Sequence, residues 1–329
     1  MRTARVLSPG HPDRACDIIA ESIVDEYVRR DPAASVRIRV AGGRGAIFVA
    51  GVVSSTADFD VGAIVTRTAA SLGIRNHLEP FVSIEQVPGS FIMEATRSHR
   101  PISVVGYATR ETDERLPIPA AFAKRIAKKF EDLRNHDAEW YWLEPAFEVT
   151  VAERQHGDPI AYVSCAHGET ELSEARERIA SVVTSVIPSM TVRVNLHGPI
   201  RANGLDHDVG SSATPEEPYG TGVIIPGSPI GCDPSNPMKF GTWLARGLAK
   251  RILEREPDAK AILVRATYAP GDREPTFLSV RDERGRDVLK PEDAATMTYA
   301  SLHPQLRLGL STNAAHWGFA GEVEMPWES

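Results

Sequence analysis

Three short clusters hold the side chains whose types and spacing could do chemistry. The first is Ser8-Pro9-Gly10-His11-Pro12-Asp13-Arg14, a turn that runs into a helical pattern. Free backbone N–H groups and the helix dipole at such a start favour an anion. His11 beside Asp13 and Arg14 could grip a phosphate, hold Mg²⁺ through the carboxylate, or protonate a leaving oxygen. Pro12 and Asp13 could equally do no more than start the helix. The second cluster is Asn203-Gly204-Leu205-Asp206-His207-Asp208. Asp206, His207 and Asp208 offer metal or substrate ligands, although consecutive residues rarely all face one ion, and a solvated polar loop explains them too. The third is Gly231-Cys232-Asp233-Pro234-Ser235, just ahead of a helical pattern that carries Lys239. Cys232 is either a thiolate favoured by a helix N-terminus or an inert buried thiol.

The elements that must position these clusters repeat. Cys16, Ile19, Ala20, Ile23, Val24 and Tyr27 follow helical spacing. Two β-rich runs, 36–40 and 46–53, follow with a turn at Gly42-Gly43, and a second helical pattern runs from Val61 to Leu72. The same order recurs. Phe122 to Leu133 reads as a helix, 147–151 and 160–165 as strands around Gly157-Asp158, and Leu172 to Val186 as a helix. A third copy reads Phe240 to Ile252, strands 261–267 and 276–280, and a closing helix from about Pro291 to about Leu302. The copies start roughly 110 residues apart. Each unit would bury one sheet face under two helices, so the expected class is α+β with three similar two-layer units. They are assigned to residues 1–100, 101–197 and 198–329, interleaved, with a long loop opening the last. Leu78 to Pro101 and Gly198 to Pro237 show little periodicity, and a loop as long as the second is usually functional or disordered.

Composition narrows the classes. The 329 residues carry a formal charge of −7, with 42% hydrophobic and 25% charged residues, as in an ordinary folded protein. An acidic balance argues against non-specific nucleic-acid binding. Cys16, Cys165 and Cys232 are odd in number and form no Cys-x-x-Cys pair, so a disulfide framework is not expected and a reducing cytoplasm is. No stretch reads as a signal peptide or a membrane span.

Taken together, the clusters resemble the S-adenosylmethionine synthetase (methionine adenosyltransferase) family. Gly10-His11-Pro12-Asp13 is similar to its Gly-His-Pro-Asp-Lys signature, and Gly106-Tyr107-Ala108-Thr109-Arg110-Glu111-Thr112 to its Gly-Tyr-Ala-Thr-Asn-Glu-Thr. Gly231-Cys232-Asp233-Pro234-Ser235 resembles Gly-Lys-Asp-Pro-Ser, and Glu274-Pro275-Thr276 and the ending His316-Trp317-Gly318 to Pro326-Trp327-Glu328 also match. The resemblance runs nearly end to end. It implies three interleaved α/β units in pseudo-threefold arrangement and a homodimer with its site at the subunit interface. It also implies a reaction joining ATP and methionine with Mg²⁺ and K⁺. His11 would contact triphosphate, Asp13 would hold Mg²⁺, and Arg14 would replace the signature Lys.

The departures gather at that site. The family's K⁺-linked Glu aligns with Arg39, so K⁺ is not expected, and its methionine-amine Glu aligns with Val52. The Gly-Asp-Gln-Gly carboxylate aligns with Arg100, and the Arg-Lys pair with Asp208 and Val209. The two Lys of Gly-Lys-Asp-Pro-Ser-Lys align with Cys232 and Asn236, the next Asp with Met238, and the adenine-stacking aromatic with Val194. The Asp-Ala-Lys-Ser segment is absent and the lid loop shortened. A leaving triphosphate needs several cations in a closed site, and few remain. Three functions stay open. One is an enzyme on this scaffold acting on a nucleoside or adenosyl compound without triphosphate, through His11, Asp13, Arg14, Asp206, His207, Asp208, Cys232, Asp233 and Lys239. Another is a working synthetase with charge resupplied by Lys239, Arg201 and Arg246. The third is a non-catalytic homologue that binds a ligand or partner.

Overall fold

The computed structural model describes residues 2–74, 78–88, 101–213, 218–272 and 274–329. The chain opens on strand β1 (Arg2–Leu7) and helix α1 (Pro12–Arg30). α1 starts where the sequence provides a cap, a proline in the first turn and an acidic residue, and it ends on Arg29 and Arg30. A hairpin of β2 (Ser35–Gly43) and β3 (Ala46–Ser54) follows, then α2 (Val61–Ser71) and β4 (Glu79–Gln86). The hairpin apex is Arg44-Gly45 rather than Gly42-Gly43, which pair with Ile47 and Ala46 inside the ladder. Arg44 and Gly45 both hold positive φ, 55° and 96°, as a tight two-residue hairpin turn requires.

The second stretch gives β5 (Ile102–Thr109), α3 (Ile118–His136), β6 (Phe147–Glu153), β7 (Ile160–Cys165), α4 (Leu172–Val186) and β8 (Thr191–Val194). The third gives β9 (Val209–Ser211), α5 (Pro237–Arg255), β10 (Ala261–Tyr268) and β11 (Phe277–Asp282). It ends in three short helices, α6 (Pro291–Ala295), α7 (Tyr299–Leu302) and α8 (Leu310–Trp317). The single closing helix expected from Pro291 to Leu302 is broken in two. Met297 is fully buried, and its carbonyl accepts the Tyr268 hydroxyl at 2.8 Å, away from any helical ladder.

Three sheets result, ordered β4-β3-β2-β9, β1-β6-β7-β8 and β11-β10-β5. Each contains a strand from elsewhere in the chain. β1 pairs antiparallel with β6, β5 with β10, and β9 with β2. The interleaving is therefore strand exchange, and each sheet takes strands from both sides of a division at residue 100 or 197. In the first two sheets a helix carries the chain to a parallel edge strand, β3 to β4 and β7 to β8.

Each sheet turns one face to its helices. Val36, Ile38, Val40, Ile47 and Val49 alternate inward against Ile19, Ile23 and Val65. Phe130, Phe147, Val149 and Ile179 fill the second core, and Trp243, Leu244, Val264 and Trp327 the third. α5 lies on β5 with backbone against backbone: a Cβ on Gly106 would sit 2.1 Å from the carbonyl of Ala245. No helix among the described residues is long and apolar enough to cross a membrane.

Candidate functional site

The turn after β1 is pinned from below. Ser8 Oγ donates to Pro145 O at 2.8 Å and accepts the Phe147 N–H at 2.8 Å. The chain then enters α1 through His11, whose Nδ1 accepts the backbone N–H of Asp13 at 3.3 Å. That contact fixes the tautomer: with Nδ1 an acceptor, the proton of a neutral ring sits on Nε2. Burial, aided by the charges of Arg5 and Arg14 and opposed by Asp13 and Asp208, pushes the His11 pKa down to about 4. His11 is thus a neutral hydrogen-bond donor at physiological pH, not a cationic clamp.

Asp13 Oδ1 accepts the Ser211 N–H at 3.0 Å, which ties β9 to the start of α1. Gly210 allows this approach, since a Cβ there would lie 2.2 Å from the Pro12 carbonyl carbon. Asp208 therefore comes close enough to bear on His11. His207 is exposed, and its carbonyl accepts Arg44 Nε at 3.2 Å. Asp206 is half-buried, and its Oδ1 meets no donor among the described residues. Asn203 donates to Ala146 O at 2.6 Å, holding this loop beside the His11 turn. His11, Asp13 and Asp208 thus form one corner, with Asp206 and His207 on its loop. Arg5, which the motifs did not flag, acts on His11 from β1 while pairing with Glu148 at 3.6 Å, and Arg44 meets the loop at the His207 carbonyl. Their only sequence signals are alternation on β1 and the hairpin apex.

The other predicted residues lie elsewhere. Gly231 O accepts the Ile38 N–H at 2.6 Å, and Asp233 N–H donates to Val36 O at 3.1 Å. Cys232 bridges Arg37 on that same edge of β2, whereas Ser211 pairs with Ala41. Four residues of strand, about 13 Å, separate the two groups along β2. Four of these side chains are engaged within the protein. Cys232 is buried and burial raises its thiol pKa, so it is an inert thiol and no thiolate. Asp233 takes the Val36 N–H at 2.9 Å on one oxygen and the Ser235 N–H and hydroxyl on the other, which makes it a turn-forming carboxylate. Lys239 is 1% exposed, ion-paired with buried Glu21, and its ammonium lies 5.6 Å from the Trp243 ring centre. Arg14 is buried, 3.5 Å from Asp17 and donating to Ala315 O at 3.1 Å. Charge was kept at these positions, but structure uses it. Arg246 is likewise fully buried, held by Glu328 at 2.7 Å and by three backbone carbonyls. Arg39 donates to Ile38 O and Ile230 O at 2.9 and 2.6 Å. Arg100 lies outside the described residues.

Asn236 caps α5 by accepting the Met238 N–H at 2.9 Å, and a cleft of about 730 Å³ opens at that helix start. Asp233, Asp272 and Glu274 line it, with Phe240, Tyr299 and His303 supplying ring surface. No lysine or arginine lines it among the described residues. Burial and the charge of Asp233 both raise the Tyr299 pKa, so its hydroxyl stays protonated. Among the described residues no three His, Cys, Asp or Glu side chains converge to hold a metal ion. Asp13 offers a single carboxylate with one oxygen engaged, and a Mg²⁺ there would draw its other ligands from water and substrate.

The N-terminal domain model of S-adenosylmethionine synthetase matches residues 1–87, and the central domain model matches residues 101–201. The chain belongs to the S-adenosylmethionine synthetase family. Its α+β architecture is that family's fold. S-adenosylmethionine synthase of Petrotoga mobilis is 26% identical, over 99% of this chain and 95% of that protein. The synthases of Aquifex aeolicus and Deinococcus deserti are 24% and 27% identical, over 100% and 99% of this chain and 96% and 95% of theirs. At such identity the member is divergent. These alignments span 376 to 388 positions against 329 residues here, so the relatives carry stretches this chain lacks.

Proposed function

We propose that this family member is a transferase-type enzyme whose substrate is a nucleoside or adenosyl compound lacking a triphosphate. One observation carries the reading: the cleft at the start of α5 is lined by Asp272, Glu274 and aromatic rings, with no lysine or arginine among the described residues. Carboxylates suit ribose hydroxyls or a sulfonium charge, and the Tyr299 and Phe240 rings suit a base. They repel a triphosphate. The family lysines that would offset that repulsion align with Cys232 and Asn236, one buried and the other a helix cap. His11 supplies a neutral Nε2–H donor to a substrate oxygen, and Asp13 with Asp208 gives the corner its negative charge. Mg²⁺ would bind there through Asp13 when a ligand brings further oxygens.

The family's interface site suggests that the His11 corner of one protomer faces the α5 cleft of the other across a homodimer. The outer face of the first sheet supports this. Phe48 and Phe81 stack on it with ring centres 5.0 Å apart, and both are exposed in the single chain.

Titration calorimetry with adenosine, S-adenosylmethionine, MgATP and methionine tests the reading. Binding of adenosine or S-adenosylmethionine, with MgATP at least tenfold weaker, is expected. Arg5 and Arg44 beside the His11 loop favour a second reading, a synthetase whose anion site is rebuilt from the strands. Tight MgATP binding with S-adenosylmethionine formed from ATP and methionine would establish that reading and end the first.

A further inference from the structure

The β2–β3 hairpin turns on Arg44-Gly45, and both residues hold positive φ. A two-residue turn of that kind favours Asn, Asp or Gly at its first position, because other side chains are strained there. This chain puts an arginine there, at φ 55°. Its contacts show what the arginine adds. The Arg44 N–H donates to Leu205 O at 2.6 Å, and its Nε donates to His207 O at 3.2 Å. Asparagine would suit the turn and keep the first bond, and its shorter side chain would give up the second.

Both carbonyls belong to the loop that carries Asp206, His207 and Asp208. Leu205 anchors that loop in the first core. The loop folds on Gly204, whose carbonyl accepts the His207 and Asp208 N–H groups at 3.0 and 2.8 Å. Its far end lies on the same hairpin: Gly43 pairs with Val209, and a Cβ on Gly43 would sit 2.0 Å from Asp208 O. The hairpin tip is itself fixed, since Gly45 O accepts the Glu79 N–H from β4 at 2.8 Å. Asp208 Oδ1 accepts the N–H of the next residue, Val209, at 2.8 Å, so the backbone path sets where this carboxylate stands. It stands close enough to His11 to act on its charge. A strained turn residue whose side chain braces this path is strain kept for a purpose.

We propose that Arg44 is the positioning residue of the His11 corner: from the hairpin tip it holds the 204–208 loop in the path that stands Asp208 against the His11 ring. The proposal rests on the reading of that corner as part of the substrate site. Arg44→Asn separates turn from brace, since it suits the turn and removes the guanidinium. Arg44→Lys restores a cation that can reach the same carbonyl. Arg44→Asn should melt at or above the wild-type temperature. Its His207 and Asp208 amides should exchange about tenfold faster, and its His11 ring ¹⁵N resonances at pH 7 should move. Calorimetry with adenosine and Mg²⁺ should show several-fold weaker binding, because His11 meets a substrate oxygen. Arg44→Lys should return all three readouts toward wild type. Unchanged exchange in Arg44→Asn, unmoved His11 resonances, adenosine bound as tightly as by the wild type, or no rescue by Arg44→Lys would each overturn the proposal. A wild type that binds no adenosine would end the substrate reading alone, and the exchange and His11 readouts would still decide the role of Arg44.

Discussion

The sharpest consequence of the site geometry concerns the charge on His11. The ring is buried, accepts the Asp13 N–H on Nδ1 and has its pKa pushed from 6.5 to about 4. The unfolded chain binds a proton near pH 6.5 and the folded chain only near pH 4, so between these values the unfolded state binds more protons. Stability from this group is therefore full above pH 6.5 and is lost as pH falls to 4. A shift of 2.5 units corresponds to about 3 kcal/mol at about 1.4 kcal/mol per unit. Two measurements check this. In ¹⁵N-labelled protein His11 should stay neutral down to pH 5 and show the Nε2–H tautomer. In urea melts the wild type should lose about 3 kcal/mol more between pH 7 and pH 4 than His11→Asn, which keeps a cap but does not titrate there. A His11 titration near pH 6.5, or identical pH profiles for the two proteins, would refute the neutral-donor assignment and restore His11 as a cationic anion clamp.

Other consequences follow from single contacts. Lys239→Met should cost about 3–5 kcal/mol at pH 7, because Glu21 is left buried and uncompensated. Burial holds the Glu21 pKa up, so the loss should shrink as pH falls and Glu21 takes a proton; urea melts over a pH series show it, and adenosine affinity of the folded variant should not change. Gly106→Ala should cost about 3 kcal/mol in the same assay, since its Cβ meets the Ala245 backbone, which no side-chain rotation can relieve. All three cysteines are buried with raised thiol pKa values, Cys165 up to about 12. Iodoacetamide at pH 8 should therefore label none of them within an hour, and mass spectrometry would detect any adduct. Phe48→Glu should convert the proposed homodimer to a folded monomer in light scattering, since it puts a charge on the Phe48–Phe81 stack; a wild type that is already monomeric would refute the proposed interface.

Much of the fold was legible because it rests on local patterns. α1, α4 and the β2–β3 and β6–β7 hairpins follow periodicities that one element satisfies on its own. Features set by distant partners were not legible. β4 looks irregular in sequence because it is an edge strand with only β3 beside it, and its residues are mostly exposed. β9 is three residues long, and its place is set by Ser211 meeting Asp13 and by Gly210 meeting Pro12. The break after α6 depends on Tyr268 reaching Met297 from another strand.

The candidate site shows a harder limit, because residue type does not say which partner a charge will choose. Arg14 keeps the charge of the family Lys, and by residue type Lys239 and Arg246 could resupply cations. All three are turned inward, to Asp17, Glu21 and Glu328. Each pair is buried, so freeing the cation for a ligand would strand a carboxylate at a cost of several kcal/mol, more than one surface contact returns. Arg5, an ordinary strand residue by sequence, acts on His11 together with Arg14, and Arg44 at the hairpin apex bonds the His207 carbonyl. The count of cations around a substrate is thus fixed by which carboxylates the core has already engaged. By that count the described lining of the α5 cleft carries carboxylates and no lysine or arginine, while Arg5 on β1 and Arg44 at the hairpin apex lie by the His11 turn and its loop.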